Sequence, residues 1–224
     1  GYLSIAVEPA DATVAVDGST VEGDLVELPA GTHKVSIKRF GYIEKIETLV
    51  IAEKSTSYVS IALEKAPFAI RGFGFTRSVF NPRNAGAPGR TALEFRASSY
   101  GSALAEIRGP GGELVATLDF PEILTWNQSR TWEGLAPDGT ALPDGLYTVA
   151  FAAKPAPGVP TRPEAGPDGS VKAQAELRID SSLVIRSFGT SGALPGLLFM
   201  PDALPQPAGT AAAARRHRHP RCRP

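Results

Sequence analysis

The sequence predicts an all-β protein: two tandem small β-sandwich (Ig-like) domains with a poorly structured C-terminal tail. Three observations predict it. Apolar residues recur at every second position in short runs, such as Leu3-Ile5-Val7 and Tyr147-Val149-Phe151, the period of a half-buried strand. Turn-forming residues separate the runs, and 23 Gly with 20 Pro in 224 residues favour many turns over long helices. The pattern is interrupted at Lys65-Ala66-Pro67, which reads as a linker because Pro67 ends a strand pattern. Residues 1–65 and 68–180 are thereby set apart.

Within the first region, the strand at Leu3-Ile5-Val7 stops at Pro9 to Asp11 and resumes at Val14 and Val16. Asp17-Gly18 follows, a strong short-range hairpin signal. Leu28-Pro29-Ala30-Gly31 supplies another turn. His33, Val35 and Ile37 then share one face of a strand, with Lys34, Ser36 and Lys38 on the other. Gly41-Tyr42 interrupts, Ile46, Thr48 and Val50 mark a further strand, and Val59, Ile61 and Leu63 close the region. A core drawn from about 65 residues is near the lower limit for independent stability.

The order of these turns and strands resembles the PEGA domain. The residues that carry the likeness are Gly1-Tyr2-Leu3-Ser4-Ile5, Pro9, Ala12, Val14, Val16-Asp17-Gly18, Leu28-Pro29-Ala30-Gly31-Thr32-His33 and Gly41-Tyr42. The resemblance covers residues 1–64 and implies a small β-sandwich-like module of bacterial and archaeal envelope proteins. The family's name motif is replaced by Pro9-Ala10-Asp11-Ala12, which keeps Pro and Ala and puts a turn-former in place of Gly.

The second region opens with a turn-rich loop from Phe80-Asn81-Pro82 to Gly89. Leu93, Phe95 and Ala97 form a strand. Ala105 and Ile107 lead through the hairpin loop Gly109-Pro110-Gly111-Gly112 to Leu114, Ala116 and Leu118. A loop holding Trp126 precedes the segment Thr131 to Val149, which combines an apolar anchor (Trp132) with the turns Asp138-Gly139 and Asp144-Gly145. Leu146 to Ala153 and Val171 to Ile179 are the last two strands. The Pro- and Gly-rich connection at 154–170 is long for a hairpin, so it is either mobile or a contact surface.

Phe80-Asn81-Pro82, Thr91, Leu93, Phe95, Ile107, Gly112, Val115, Leu118, Trp132-Glu133-Gly134, Asp138-Gly139, Leu142-Pro143-Asp144-Gly145, Tyr147 and Val149 resemble the Ig-like domain of the flagellar hook-capping protein, the FlgD Ig-like family. That module recurs in secreted and surface proteins unrelated to flagella, so the resemblance implies an Ig-like β-sandwich outside the cytoplasm. The insertion at 155–170 departs from the family's short connection.

Residues 181–224 fit neither family and read as a Pro/Ala/Arg-rich tail or the start of a following domain. Leu183 to Ile185 reads as one more strand; prolines at 195, 201 and 205 break the apolar stretch from Leu194 to Leu204. The ending RRHRHPRCRP suggests an out-of-frame or vector-derived end. With Gly at position 1 and a single Met, at position 200, the chain reads as part of a longer or processed protein, and any signal peptide would lie upstream.

Five Arg crowd the last ten residues, so the zero formal charge leaves the rest of the chain acidic by about five charges. That argues against a nucleic-acid partner. The only cysteine, Cys222, lies in the same tail, which leaves the two modules without a disulfide framework. No apolar run of about 18 residues occurs, so no transmembrane helix is expected in this stretch.

Catalysis requires an acid, base or nucleophile in a cleft. The acids lie in turns (Asp17, Asp138, Asp144) or on polar strand faces (Glu44, Glu47), and His33, the one histidine outside the tail, sits within a strand. No enzyme and no cofactor are expected. Asp138 and Asp144 have the chemistry for calcium, although Asp-Gly turns select the same residues. His217, His219 and Cys222 form an H-x-H-x-x-C string with metal-ligand chemistry in an Arg-rich context. Trp126, Tyr100 and Tyr42, near turns, are the candidate ligand contacts through stacking on sugar rings, with packing as the competing reading.

The expectation is a non-catalytic cell-envelope or surface protein whose modules act as spacers or interaction platforms. Its partners would be other envelope proteins or cell-wall glycans, in the periplasm, envelope or cell surface. Carbohydrate or peptidoglycan binding through loop aromatics is the alternative. A flagellar hook-assembly component, resting on fold analogy alone, and an accessory segment of an enzyme whose catalytic domain lies elsewhere are further readings.

Overall fold

The computed structural model describes residues 1–185, which form one compact unit. Strands dominate, and the one helical element among the described residues is a 3-10 turn at Ala87–Gly89. Seven strands build the first module: β1 (Tyr2–Glu8), β2 (Thr13–Val16), β3 (Ser19–Val21), β4 (Leu25–Glu27), β5 (Gly31–Lys38), β6 (Lys45–Ile51) and β7 (Thr56–Ala62). They form two sheets, ordered β4-β1-β7 and β3-β2-β5-β6. β1 and β7 run parallel, with Leu3 beside Ser57 and Ile5 beside Val59.

Local chemistry sets the register. Val16 pairs with Ser19 across Asp17-Gly18, and both turn residues have positive φ, 50° and 85°. This is the two-residue hairpin geometry that Asp-Gly favours, because its twist matches that of the flanking strands. Apolar residues from both sheets meet between them: Leu3, Ile5 and Ile61 from one, Val16, Val35, Ile37 and Ile51 from the other. His33, Val35 and Ile37 point inward as their alternation predicts.

β6 is in place, but Ile46, Thr48 and Val50 face outward and Ile51 is the buried residue. Both phases of Lys45–Ile51 contain apolar side chains. Pairing with β5, where Val35 lies opposite Glu47, decides which phase is inward.

The second module comprises β8 (Ile70–Phe75), β9 (Val79–Phe80), β10 (Thr91–Ala97), β11 (Gly101–Arg108), β12 (Leu114–Ile123), β13 (Asn127–Trp132), β14 (Gly145–Pro155) and β15 (Val171–Ile179). Its sheets are ordered β13-β10-β8 and β12-β11-β14-β15-β9. The core between them holds Leu93, Phe95 and Trp132 from the first sheet and Ala105, Ile107, Phe120, Tyr147, Val149, Phe151, Leu177 and Ile179 from the second. Phe95 packs edge-on to both Phe120 and Phe151, with centroids 4.9 and 5.0 Å away.

Thr131 to Val149 is a folding element within this sandwich. Trp132 is buried between Phe80 and Tyr147, at centroid distances of 5.6 and 5.8 Å. The Tyr147 hydroxyl donates to the Pro143 carbonyl at 2.7 Å, a tyrosine-corner contact that ties a strand to the turn before it. Burial raises the phenol's pKa, so the hydroxyl remains a donor. Gly134 has φ 65°, and a Cβ there would lie 2.6 Å from Pro82 and 2.9 Å from Phe80. Only glycine meets both demands.

Leu183 to Ile185 is not a strand. The Leu183 carbonyl accepts from the side-chain amides of Asn81 and Asn84, and Ile185 N–H donates to Asn84 Oδ1. Two asparagine side chains hold this segment where strand pairing was expected. The 154–170 connection is tied down: the Pro160 carbonyl accepts from Phe68 N–H at 2.7 Å and Val159 packs on the core. The Arg-rich ending, the 194–204 stretch and the H-x-H-x-x-C string lie outside the described residues.

Candidate functional site

The junction between the modules is built by the loop after β5. Arg39-Phe40-Gly41-Tyr42 leaves the first module, yet Phe40 belongs to the second module's core, only 7% exposed. Its ring stands edge-on to Tyr100 at 4.9 Å and to Trp126 at 5.6 Å between centroids. Gly41 has φ 83°, and a Cβ would lie 2.5 Å from the Tyr100 ring. The glycine therefore permits both the left-handed turn and the close approach.

Backbone bonds continue the joint. Ala66 N–H donates to the Gly41 carbonyl and Ile43 N–H to the Glu64 carbonyl, while Tyr42 bridges to Lys65. Lys65 and Ala66 of the linker are thus paired with the Phe40 loop, and the Pro67 carbonyl accepts from the Ser98 hydroxyl. Arg39 makes a bidentate contact with Asp11, at 2.7 Å (Nη2 to Oδ2) and 2.5 Å (Nε to Oδ1), and its guanidinium lies 5.2 Å from the centre of the Tyr42 ring. Asp11 lies in the turn between β1 and β2. The hydrogen bond from Arg39 lowers its pKa, and the planar fork-to-carboxylate pairing fixes the guanidinium's direction.

All three sequence-predicted contact residues fall in or beside this joint. Tyr100 and Trp126 are brought together through Phe40. Tyr42 lies on the other side of Gly41, under Arg39. Trp126, with 37% of its surface exposed, is the most accessible of the conspicuous pair. A shallow groove of about 490 Å³ runs beside the joint, lined by Tyr100, Pro121, Glu122, Leu124, Pro155 and Pro157. Phe40, which organises the aromatics, was not singled out from sequence; the signal was an aromatic directly before a loop glycine.

The turn carboxylates make hydrogen bonds within the fold. Asp138 accepts from Thr140 N–H and hydroxyl, which lowers its pKa. Asp144 accepts from Ser181 N–H and hydroxyl and so pins the chain just beyond β15. Among the described residues no three His, Cys, Asp or Glu side chains cluster as a metal site would require, and no helix is long and apolar enough to cross a membrane.

No protein-family model matches the chain, and no curated protein does. Solved structures show distant likeness. The chain is similar over 75% of its length to dimeric latent PorU from Porphyromonas gingivalis, at 12% identity and TM-score 0.35, and spans only 16% of that protein. A DUF3823 family protein from Bacteroides ovatus aligns with 69% of this chain and 90% of its own, at 13% identity and TM-score 0.27. A proposed carbohydrate-binding protein from Bacteroides uniformis aligns over 80% of this chain and 97% of its own, at 7% identity and TM-score 0.29. None of these scores reaches 0.5.

Proposed function

We propose that this chain is a non-catalytic spacer from a cell-envelope or surface protein, made of a PEGA-like and a FlgD-type Ig-like module that present loops and strand edges to other envelope proteins. The observation that carries the reading is the Phe40 joint. An aromatic of one module is buried in the core of the next, and the linker is hydrogen-bonded along its length. Such a joint holds two binding surfaces at a fixed spacing, where a free linker would let them wander. Four turn carboxylates are engaged within the fold: Asp17, Asp138, Asp168 and Asp180 each accept a backbone N–H.

Fractionation of cells producing the full-length protein tests the location. Recovery with the envelope supports the reading, and recovery in the cytoplasm overturns it. A second reading, glycan binding, draws on the groove beside Tyr100 and the exposure of Trp126. A glycan array or cell-wall pull-down separates the two, with Trp126→Ala abolishing capture if glycans are the ligand.

A further inference from the structure

We propose that His33, held as the imidazolium between Asp17 and Pro29, is a proton-operated latch that fastens the edge strand β4 to the opposite sheet of the first module. The ring is 8% exposed and both of its nitrogens meet acceptors. Nδ1 lies 2.7 Å from Asp17 Oδ2 and Nε2 lies 3.0 Å from the Pro29 carbonyl oxygen. A carboxylate and a carbonyl only accept, so both contacts are hydrogen bonds only when both ring nitrogens carry protons. A neutral imidazole has one N–H, which would leave one of these acceptors facing a lone pair.

The two acceptors come from different places. Asp17 is in the β2–β3 turn, where it also accepts from Lys34 N–H at 2.9 Å. Pro29 is in the loop from β4 to β5. His33 itself is on β5, so the ring joins three separate pieces of chain.

β4 has little else to hold it. It pairs only with β1, through Leu25, Val26 and Glu27, and Leu25 is 59% exposed. Beyond that pairing, the Asp24 carbonyl accepts from Ile5 N–H, and Leu28 exchanges backbone hydrogen bonds with Gly1 and packs on the edge of the core. A short edge strand with few buried contacts is where local opening is cheapest. Its release would bare the edge of β1.

The electrostatics agree with this geometry. The hydrogen bond to Asp17 is the largest influence raising the His33 pKa above 6.5, followed by the Pro29 carbonyl; burial opposes them. A folded-state pKa above the unfolded one means the latch is fully closed below about 6.5 and opens as pH rises through the folded value. Asp17 is lowered below 3.8, first by Lys34 N–H and then by His33, so the latch also fails as pH falls through that lower value. The closed state occupies the window between them.

The test pairs NMR titration of His33 with amide exchange, corrected for intrinsic rates, in the whole chain. His33 is expected to titrate above about 6.5, and protection of the segment 25–31 is expected to fall through the same midpoint while Thr148 to Phe151 in β14 stays constant. Asp17→Asn keeps a favoured hairpin sequence, since Asn-Gly suits the same turn, and removes the charge. It should move both midpoints down by about one pH unit or more. A His33 midpoint at or below about 6.5, protection of 25–31 that ignores the titration, or an unmoved midpoint in Asp17→Asn would each overturn the latch.

Discussion

The two modules share an architecture and differ in how they are filled. The fully apolar core of the first is aliphatic: Leu3, Ile5, Val16, Val35, Ile37, Ile51, Ile61 and Leu63. The second adds an aromatic network, in which Phe80, Trp132 and Tyr147 pack at one end and Phe95, Phe120 and Phe151 pack in the middle. The one phenylalanine of the first module, Phe40, is counted in the second module's core. A region of about 65 residues with only the half-buried Tyr42 ring against its own core is near the lower limit of independent stability. The joint therefore has two roles: it orients the modules, and it lets the smaller one lean on the larger.

The largest break should come inside the larger module. Trp132→Ala removes a buried indole and should cost about 3–5 kcal/mol, measured by urea unfolding of the whole chain. The buried indole N–H has no hydrogen-bond partner among the described residues, so Trp132→Phe should cost much less than the alanine variant. Phe40→Ala comes next, about 3 kcal/mol from the same cavity mechanism. It should also separate a single thermal transition into two, with the first module melting earlier. Tyr147→Phe leaves the Pro143 carbonyl without its donor and should cost about 1–2 kcal/mol. At the small end, Tyr58 on β7 is 81% exposed, and Tyr58→Ala should stay within about 0.5 kcal/mol.

Much of this comparison was legible in the sequence, and the misses have physical causes. Alternation located β1, β2, β5, β10, β11, β14 and β15, because each has one buried face and a turn signal beside it. β3, β4 and β9 span three residues or fewer, too short to show a period. β8 is broken by Gly72 and Gly74, and β13 reads Asn-Gln-Ser-Arg-Thr-Trp with a single buried residue, so neither alternates. β6 carries apolar residues on both faces, and its phase is decided by pairing.

The aromatic candidates show a different limit. Tyr42, Tyr100 and Trp126 were identified as conspicuous aromatics near turns, and all three lie at or beside one junction. Nothing in the spacing of 42, 100 and 126 says that Phe40 stands between the last two, because the contact is made by the fold. His33 is similar: its place on an inward strand face was readable, while its two acceptors come from turns 16 and 4 residues away.

The central claim is that the modules are fixed to one another through Phe40, and residual dipolar couplings test it most directly. Couplings from residues 1–64 and 68–180 of the whole chain can be fitted separately for an alignment tensor. One shared tensor in the native chain, splitting into two unequal tensors in Phe40→Ala, is the predicted result. Two unequal tensors in the native chain, as from modules that tumble independently, would contradict the account.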